Sequence, residues 1–244
     1  MNRIATVALA LAVAGSLTIA GCSRAADDKA FGDKVRAYLL AHPEVLEEAA
    51  QKLQEQKDAQ AADKAKVALK SDRQSLERDP RDFVANPNGK ITVNEFYDYR
   101  CPHCINAAPA VMKIIQDNPD VRFVFKELPI FGATSEHAAR EAIAIKAAGK
   151  DYLGFYKTAM ATRGLDDDTV DKIAASYGVD PTKAQQGPLR AAADAQLTDA
   201  HKLASDLNVD GTPTFIIGDT MVPGEDMTSV RDAIAKARAG AKAS

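Results

Sequence analysis

The sequence contains no tryptophan, and all its aromatic residues together make up 6% of 244 positions. Proteins that hold unpaired bases do so by stacking them on aromatic faces, and proteins that hold any nucleic acid need a cationic surface. With 31 lysines and arginines against 34 aspartates and glutamates, the net charge is −3. Both deficits argue against nucleic acid as a partner. Histidine is scarce at four residues, and cysteine at three. No segment repeats. The remaining composition, 46% hydrophobic and 27% charged, is that of a globular protein with one main core.

The longest apolar stretch, Ile4 to Ala20, is softened by Gly15, Ser16 and two threonines and is short for a membrane span. With Arg3 before it and no further charge until Arg24, it reads as a secretory signal peptide over residues 1–21. Ile19-Ala20-Gly21-Cys22 resembles a lipobox, in which Cys22 is acylated and becomes the first mature residue; cleavage after Ala25 or Ala26 is the alternative. Acyl chains on Cys22 would tether the protein to a membrane surface without a spanning helix. By either route the mature chain keeps two cysteines, Cys101 and Cys104. An exported protein that retains only one closely spaced pair uses it for chemistry more readily than as a staple.

Residues 27–79 read as helical. Phe31, Val35, Tyr38 and Leu39 share a face, Pro43 suits a first helical turn, and Glu44, Glu47 and Glu48 lie near that positive end. From Pro43 to Arg78 neither glycine nor proline intervenes, so a single helix there would run about 54 Å. Its apolar positions are too sparse to bury much within one chain. Two readings stand: an oligomerisation segment followed by a charged linker from 56, or a solvated helical spacer.

The first strong turn signals, Asp79-Pro80 and Asn86-Pro87-Asn88-Gly89, place a domain boundary near 80. Beyond it the pattern predicts a strand over Lys90–Phe96, a helix after Cys101, a strand over Val121–Lys126, and a helical block to about Leu207 with breaks at Gly149, Gly164, Gly178 and Gly187-Pro188. A hairpin around Gly218-Asp219 and a helix over Ser229–Arg238 close the chain. The order β, α, β, helical block, β, β, α is that of an α/β thioredoxin-like domain over 80–240 with an inserted helical subdomain.

Cys101-Pro102-His103-Cys104 follows a strand and opens a helix. Unpaired N–H groups and the helix dipole at such a position stabilise a thiolate on Cys101. Cys104 is spaced to close a disulfide and so to resolve a mixed disulfide formed at Cys101, while His103 can favour the ionised form by charge or hydrogen bonding. A zinc site would need two further ligands, and only His42, His137 and His201 lie outside the motif, without paired spacing. Glu95 alternates in phase with Ile91 and Val93, which sets a carboxyl among core residues. It is either a proton partner of Cys104 beneath the site, with Lys126 on the neighbouring strand as its counter-ion, or an acid left in solvent at a frayed strand end. Thr212-Pro213, about a hundred residues downstream, starts the apolar run Phe215-Ile216-Ile217. A cis bond there would free the Thr212 backbone to pair with an extended substrate chain.

On these residues the segment from about 80 to 240 resembles the DsbA family of bacterial disulfide oxidoreductases: the CPHC motif at 101–104, Glu95 upstream and GTPTF at 211–215. AYLLAHPEVLEEAAQKLQEQ at 37–56 is similar to the N-terminal region of the suppressor-of-copper-sensitivity C group within that family. The resemblance implies that Cys101 is the nucleophile, Cys104 the resolving thiol and Pro213 the cis-proline. It implies a periplasmic enzyme that needs no cofactor or metal beyond its cysteine pair. Thr212 before the proline is similar to disulfide isomerases of the wider superfamily, where DsbA oxidases usually carry valine. Members of the copper-sensitivity group can be trimers joined through their N-terminal segments. The expected activity is therefore isomerisation of misfolded exported proteins by a homo-oligomer served by a membrane redox partner. A DsbA-like dithiol oxidase, and a module that binds Cu(I) through the two thiolates, are the alternatives.

Overall fold

The computed structural model describes residues 20–243. The expected signal peptide lies almost wholly outside the described residues. Cys22 falls inside the first helix, with its side chain among those not described. Among the described residues no helix is long and apolar enough to cross a membrane.

The chain divides into two compact units, one ending at Ala59 and one beginning at Gln60. The first holds helix α1 (Ala20–Ala41) and the start of α2 (Glu44–Ser71), with the break between them at His42-Pro43. Nothing from residue 28 to 57 is buried. Phe31, Tyr38, Leu40, Leu46 and Leu53 each stand more than half exposed, as the sparse apolar pattern requires of a segment without a core of its own.

The second unit begins some twenty residues before the turn at Asp79-Pro80 that marks the sequence boundary. The reason is local. Ala68 and Leu69 at the end of α2, and Leu76 in the short helix α3 (Arg73–Arg78), are buried with Phe96, Leu128, Leu203, Leu207 and Ile216. The stretch expected to be a charged linker therefore ends as part of the domain wall.

Five strands follow the order β1-β3-β2-β4-β5. The central strand β2 (Ile91–Tyr97) runs parallel to β3 (Val121–Glu127) and antiparallel to β4 (Thr214–Ile217); β5 (Thr220–Pro223) pairs with β4. The edge strand β1 (Phe83–Ala85), antiparallel to β3, is too short to leave a sequence pattern. Helix α4 (Pro102–Asp117) connects β2 to β3. The predicted helical block is α5 (Ala133–Ala147), α6 (Tyr152–Ala161), α7 (Asp167–Ser176), α8 (Pro181–Ala184) and α9 (Gly187–Asp206), and α10 (Met227–Ala243) ends the chain. Two of its breaks sit at Gly149 and Gly178, whose φ values of 64° and 81° lie in the left-handed region that favours glycine.

Alternation along β2 sends side chains into two different cores. Val93 and Tyr97 join α4 and the inserted helices. Phe96 joins the wall formed by α2, α3 and the end of α9. Glu95, in phase with Val93 and Tyr97, belongs to the first of these.

Candidate active site

Cys101 is the N-cap of α4, with extended backbone (φ −71°, ψ 120°), and Pro102 occupies the first helical turn. Proline is pre-organised for that position and lacks only an N–H that would have gone unpaired. Cys101 and Cys104 are both free thiols, exposed by 1% and 0%. The Cys101 thiol donates to the Thr212 carbonyl at 3.0 Å, and the Thr212–Pro213 bond is cis. The loop after β2 and the loop before β4 thus meet at one sulfur. Pro102 and His103 are exposed over it.

A hydrogen bond from Cys104 is the largest influence that lowers the Cys101 pKa, to about 5; Thr212 and the backbone N–H groups of Cys104 and His103 add to it, against burial. A carbonyl acceptor favours the thiol, so the contact to Thr212 oxygen is lost on ionisation. The Thr212 hydroxyl, buried and without a partner, is the donor placed to replace it. His103 contributes through its backbone; its imidazole Nδ1 lies 3.3 Å from Glu225 Oε1 in the exposed rim. Cys104 is the opposite case. Burial, reinforced by the neighbouring Cys101 and Glu95, pushes it far up and holds it protonated.

Glu95 is fully buried, which removes the frayed-end alternative, and neither carboxylate oxygen has a hydrogen-bond partner. Burial and then the charge of Glu127 push it up to about 8, with only Tyr156 acting the other way. Lys126 does not serve it. In the parallel register Glu95 faces Phe125, and Lys126 faces Phe96. One position along a strand reverses the face, so Lys126 points to the second core, where it donates to Ser75 oxygen at 2.6 Å and forms an ion pair with buried Asp82.

Two acids escaped the sequence reading. Glu127 ends β3 opposite Tyr97, and its Oε1 accepts from the hydroxyls of Tyr97, Tyr99 (3.3 Å) and Tyr152 (2.7 Å). Burial pushes it to about 8 despite those donors. Its signal was the matched ends of two strands, visible only once their register is known. Asp98, 1% exposed, accepts from the backbone N–H of Arg100 (2.7 Å), Ile130 (2.6 Å) and Phe131 (2.9 Å). It ties the cysteine loop to the segment after β3, where the Ile130 and Phe131 side chains are exposed. Among the described residues, the group able to hold a metal ion is His137, Glu141 and Asp171, which includes neither cysteine.

The family described as DSBA-like thioredoxin domain matches residues 92–235, and the copper resistance protein ScsC N-terminal domain matches residues 27–60. The thiol:disulfide interchange protein DsbA of Bordetella pertussis is 34% identical over 147 residues, 58% of this chain and 67% of that protein. Among solved structures, Proteus mirabilis ScsC in a transitional conformation aligns with a TM-score of 0.64 at 28% identity, covering 88% of this chain and 99% of that one. A periplasmic thioredoxin-like protein from Salmonella enterica serovar Typhimurium aligns with a TM-score of 0.61 at 29% identity, covering 68% and 95%.

Proposed function

The chain belongs to the DSBA-like thioredoxin family of thiol–disulfide oxidoreductases, and on that premise we propose that it is a periplasmic disulfide isomerase acting on misfolded exported proteins through Cys101-Pro102-His103-Cys104. The observation that carries the chemistry is the unequal pair: a Cys101 thiol lowered to about 5 beside a Cys104 thiol held protonated. At neutral pH Cys101 is a thiolate, the form that attacks disulfides. It bonds to one sulfur of a substrate disulfide and expels the other as a thiolate, which takes a proton from water. The substrate chain is then joined to Cys101 beside the Thr212 backbone.

Two exits follow. When another thiolate of the substrate attacks the joined substrate sulfur, a new substrate disulfide forms, Cys101 leaves as thiolate, and no net oxidation occurs. When Cys104, having given its proton to Glu95 in the fraction of molecules where that carboxyl is ionised, attacks Cys101 Sγ instead, the substrate leaves as a reduced thiolate, and the protein becomes the disulfide that a membrane redox partner must reset. Thr212 before Pro213 supports the first exit as the productive one. The N-terminal unit supports it too, because its exposed apolar side chains suit joining several copies, a trimer by analogy with its group, around one client at high effective concentration. No cofactor beyond the cysteine pair enters either route. Export and any acylation of Cys22 belong to the same proposal.

The low Cys101 pKa favours a second reading, a DsbA-like oxidase, because it stabilises the reduced form and makes the disulfide oxidising. Reactivation of a substrate with scrambled disulfides separates the two, comparing residues 27–244 with residues 60–244 at equal active-site concentration. Isomerisation by the long form alone supports the proposal. Oxidation of a reduced substrate by both, with isomerisation by neither, establishes the oxidase. Cys101→Ser abolishes exchange under either reading, and retained exchange would show the nucleophile to be elsewhere.

A further inference from the structure

The inserted helices carry a second cluster of chemistry-bearing side chains that disulfide exchange does not use. His137 and Glu141 are four residues apart on α5 and project from one face of it. Asp171 reaches them from α7, which packs against α5. One imidazole nitrogen and one oxygen from each carboxylate lie within 4.8 Å of one another, with His137 Nε2 and Asp171 Oδ1 2.6 Å apart. Glu141 is 0% exposed. Its Oε1 accepts from the Gln185 side-chain amide at 2.9 Å, and its Oε2, buried, has no partner. The same amide donates to the His137 carbonyl at 3.2 Å, so Gln185 holds the α5 face in place from the segment after α8.

An ordinary ion pair accounts for His137 and Asp171 but leaves Glu141 unexplained. Its orphan oxygen is a buried acceptor without a donor, a costly arrangement. The adjacent cation on α5, Arg140, is committed to Asp194 at 2.6 Å and Glu136 at 2.9 Å. We propose that His137, Glu141 and Asp171 form a binding site for one divalent cation of the zinc class. His137 Nε2 and one oxygen from each carboxylate are the ligands, and water completes the shell on the Asp171 side, where that side chain is 41% exposed.

The donor set selects the ion. An imidazole suits zinc and its neighbours better than calcium or magnesium, which prefer oxygen alone. The absence of a thiolate disfavours Cu(I). Ligand bonds of about 2.0–2.2 Å place neighbouring tetrahedral donors about 3.4 Å apart. The imidazole and Asp171 must therefore separate slightly on binding, a movement open to the partly exposed aspartate and not to buried Glu141. Binding needs the neutral imidazole, so a protonated His137 releases its proton to solvent. The bound ion cross-links α5 to α7 and raises the stability of the inserted subdomain by mass action.

The test uses Zn2+ alone on residues 27–244 carrying Cys101→Ser and Cys104→Ser, which removes the competing thiolates. Titration against a chromophoric chelator at pH 7.5 should show one equivalent bound, and Zn2+ should raise the melting temperature. Even outer-shell partners are worth about 10- to 100-fold in metal affinity, so Asp171→Asn and His137→Gln should each weaken binding at least tenfold and suppress the thermal shift. Asp171 is exposed enough that its asparagine variant should fold; circular dichroism checks both. Millimolar Mg2+ should not compete. Absence of saturable Zn2+ binding, binding indifferent to both substitutions, or displacement by Mg2+ would each overturn the site.

Discussion

At Cys101 the electrostatics make a prediction with a definite midpoint. Thiolate absorbance at 240 nm in the reduced protein should titrate near pH 5. Cys104→Ala, which removes the largest stabilising hydrogen bond, should raise that midpoint by about one unit or more. An unmoved midpoint would assign the depression to Thr212 and the helix terminus instead. Glu95 makes the opposite kind of prediction. Its folded pKa of about 8 lies above the ordinary 4.5, so the folded protein keeps a proton that the unfolded chain gives up. Stability falls on this account as pH rises from 4.5, and the loss is complete above 8. Glu95→Gln removes the titration. Urea unfolding of the reduced proteins should find the variant close to the parent at pH 4 and more stable at pH 9, by up to a few kcal/mol. Equal differences at both pH values would mean that this carboxyl does not titrate between them. Exchange should slow at the Cys104 step, seen as a longer-lived mixed disulfide. Of the residues at the site, the cysteine motif, Thr212-Pro213 and Glu95 were legible, because spacing and strand alternation are properties of short windows. Glu127 was not. Its partners Tyr97, Tyr99 and Tyr152 come from a neighbouring strand, the loop beyond it and a later helix, and a window cannot show that convergence. Lys126 was assigned to Glu95 for a related reason: proximity at strand ends says nothing about face until the register is known.

Among the elements, the long helices and the central strands were legible from periodicity and punctuation. The edge strand β1 and the helix α8, at three and four residues, fall below the length at which periodicity carries information. The more instructive case is the end of α2 with α3. Their sequence is charged and alanine-rich, and Leu69 and Leu76 look isolated there, yet both are buried against residues from β2, β4 and α9. Their contribution is non-local, so it is invisible to a helical wheel. Leu76, at 0% exposure, should behave as a core leucine. Leu76→Ala should cost about 2–5 kcal/mol in urea unfolding, a linker-like value under 0.5 kcal/mol being the result that would contradict its placement. A catalytic fragment begun at residue 80 loses this wall, so a fragment begun at residue 60 is the fair comparison for activity.

For the molecule as a whole, exposed apolar side chains are distributed unevenly between the two units. The N-terminal unit exposes Phe31, Tyr38, Leu40, Leu46 and Leu53 with no buried residue between 28 and 57, and apolar surface of that kind calls for a partner. Light scattering of residues 27–244 should give a multiple of the chain mass, three by analogy. Residues 60–244 should be monomeric, as should a full-length variant carrying Phe31→Asp and Leu46→Asp; a monomeric parent would remove the oligomer from the proposal. The absence of tryptophan with which the sequence opens has one further consequence. Fluorescence excited at about 280 nm, where phenylalanine does not absorb, can come only from the six tyrosines, and four of them, Tyr97, Tyr99, Tyr152 and Tyr156, surround Glu127 and Glu95. Emission is therefore concentrated beside the two carboxyls and next to Cys104. It should dim and recover as those groups change charge and as the sulfur pair changes oxidation state, so that turnover can be followed optically on the unlabelled chain.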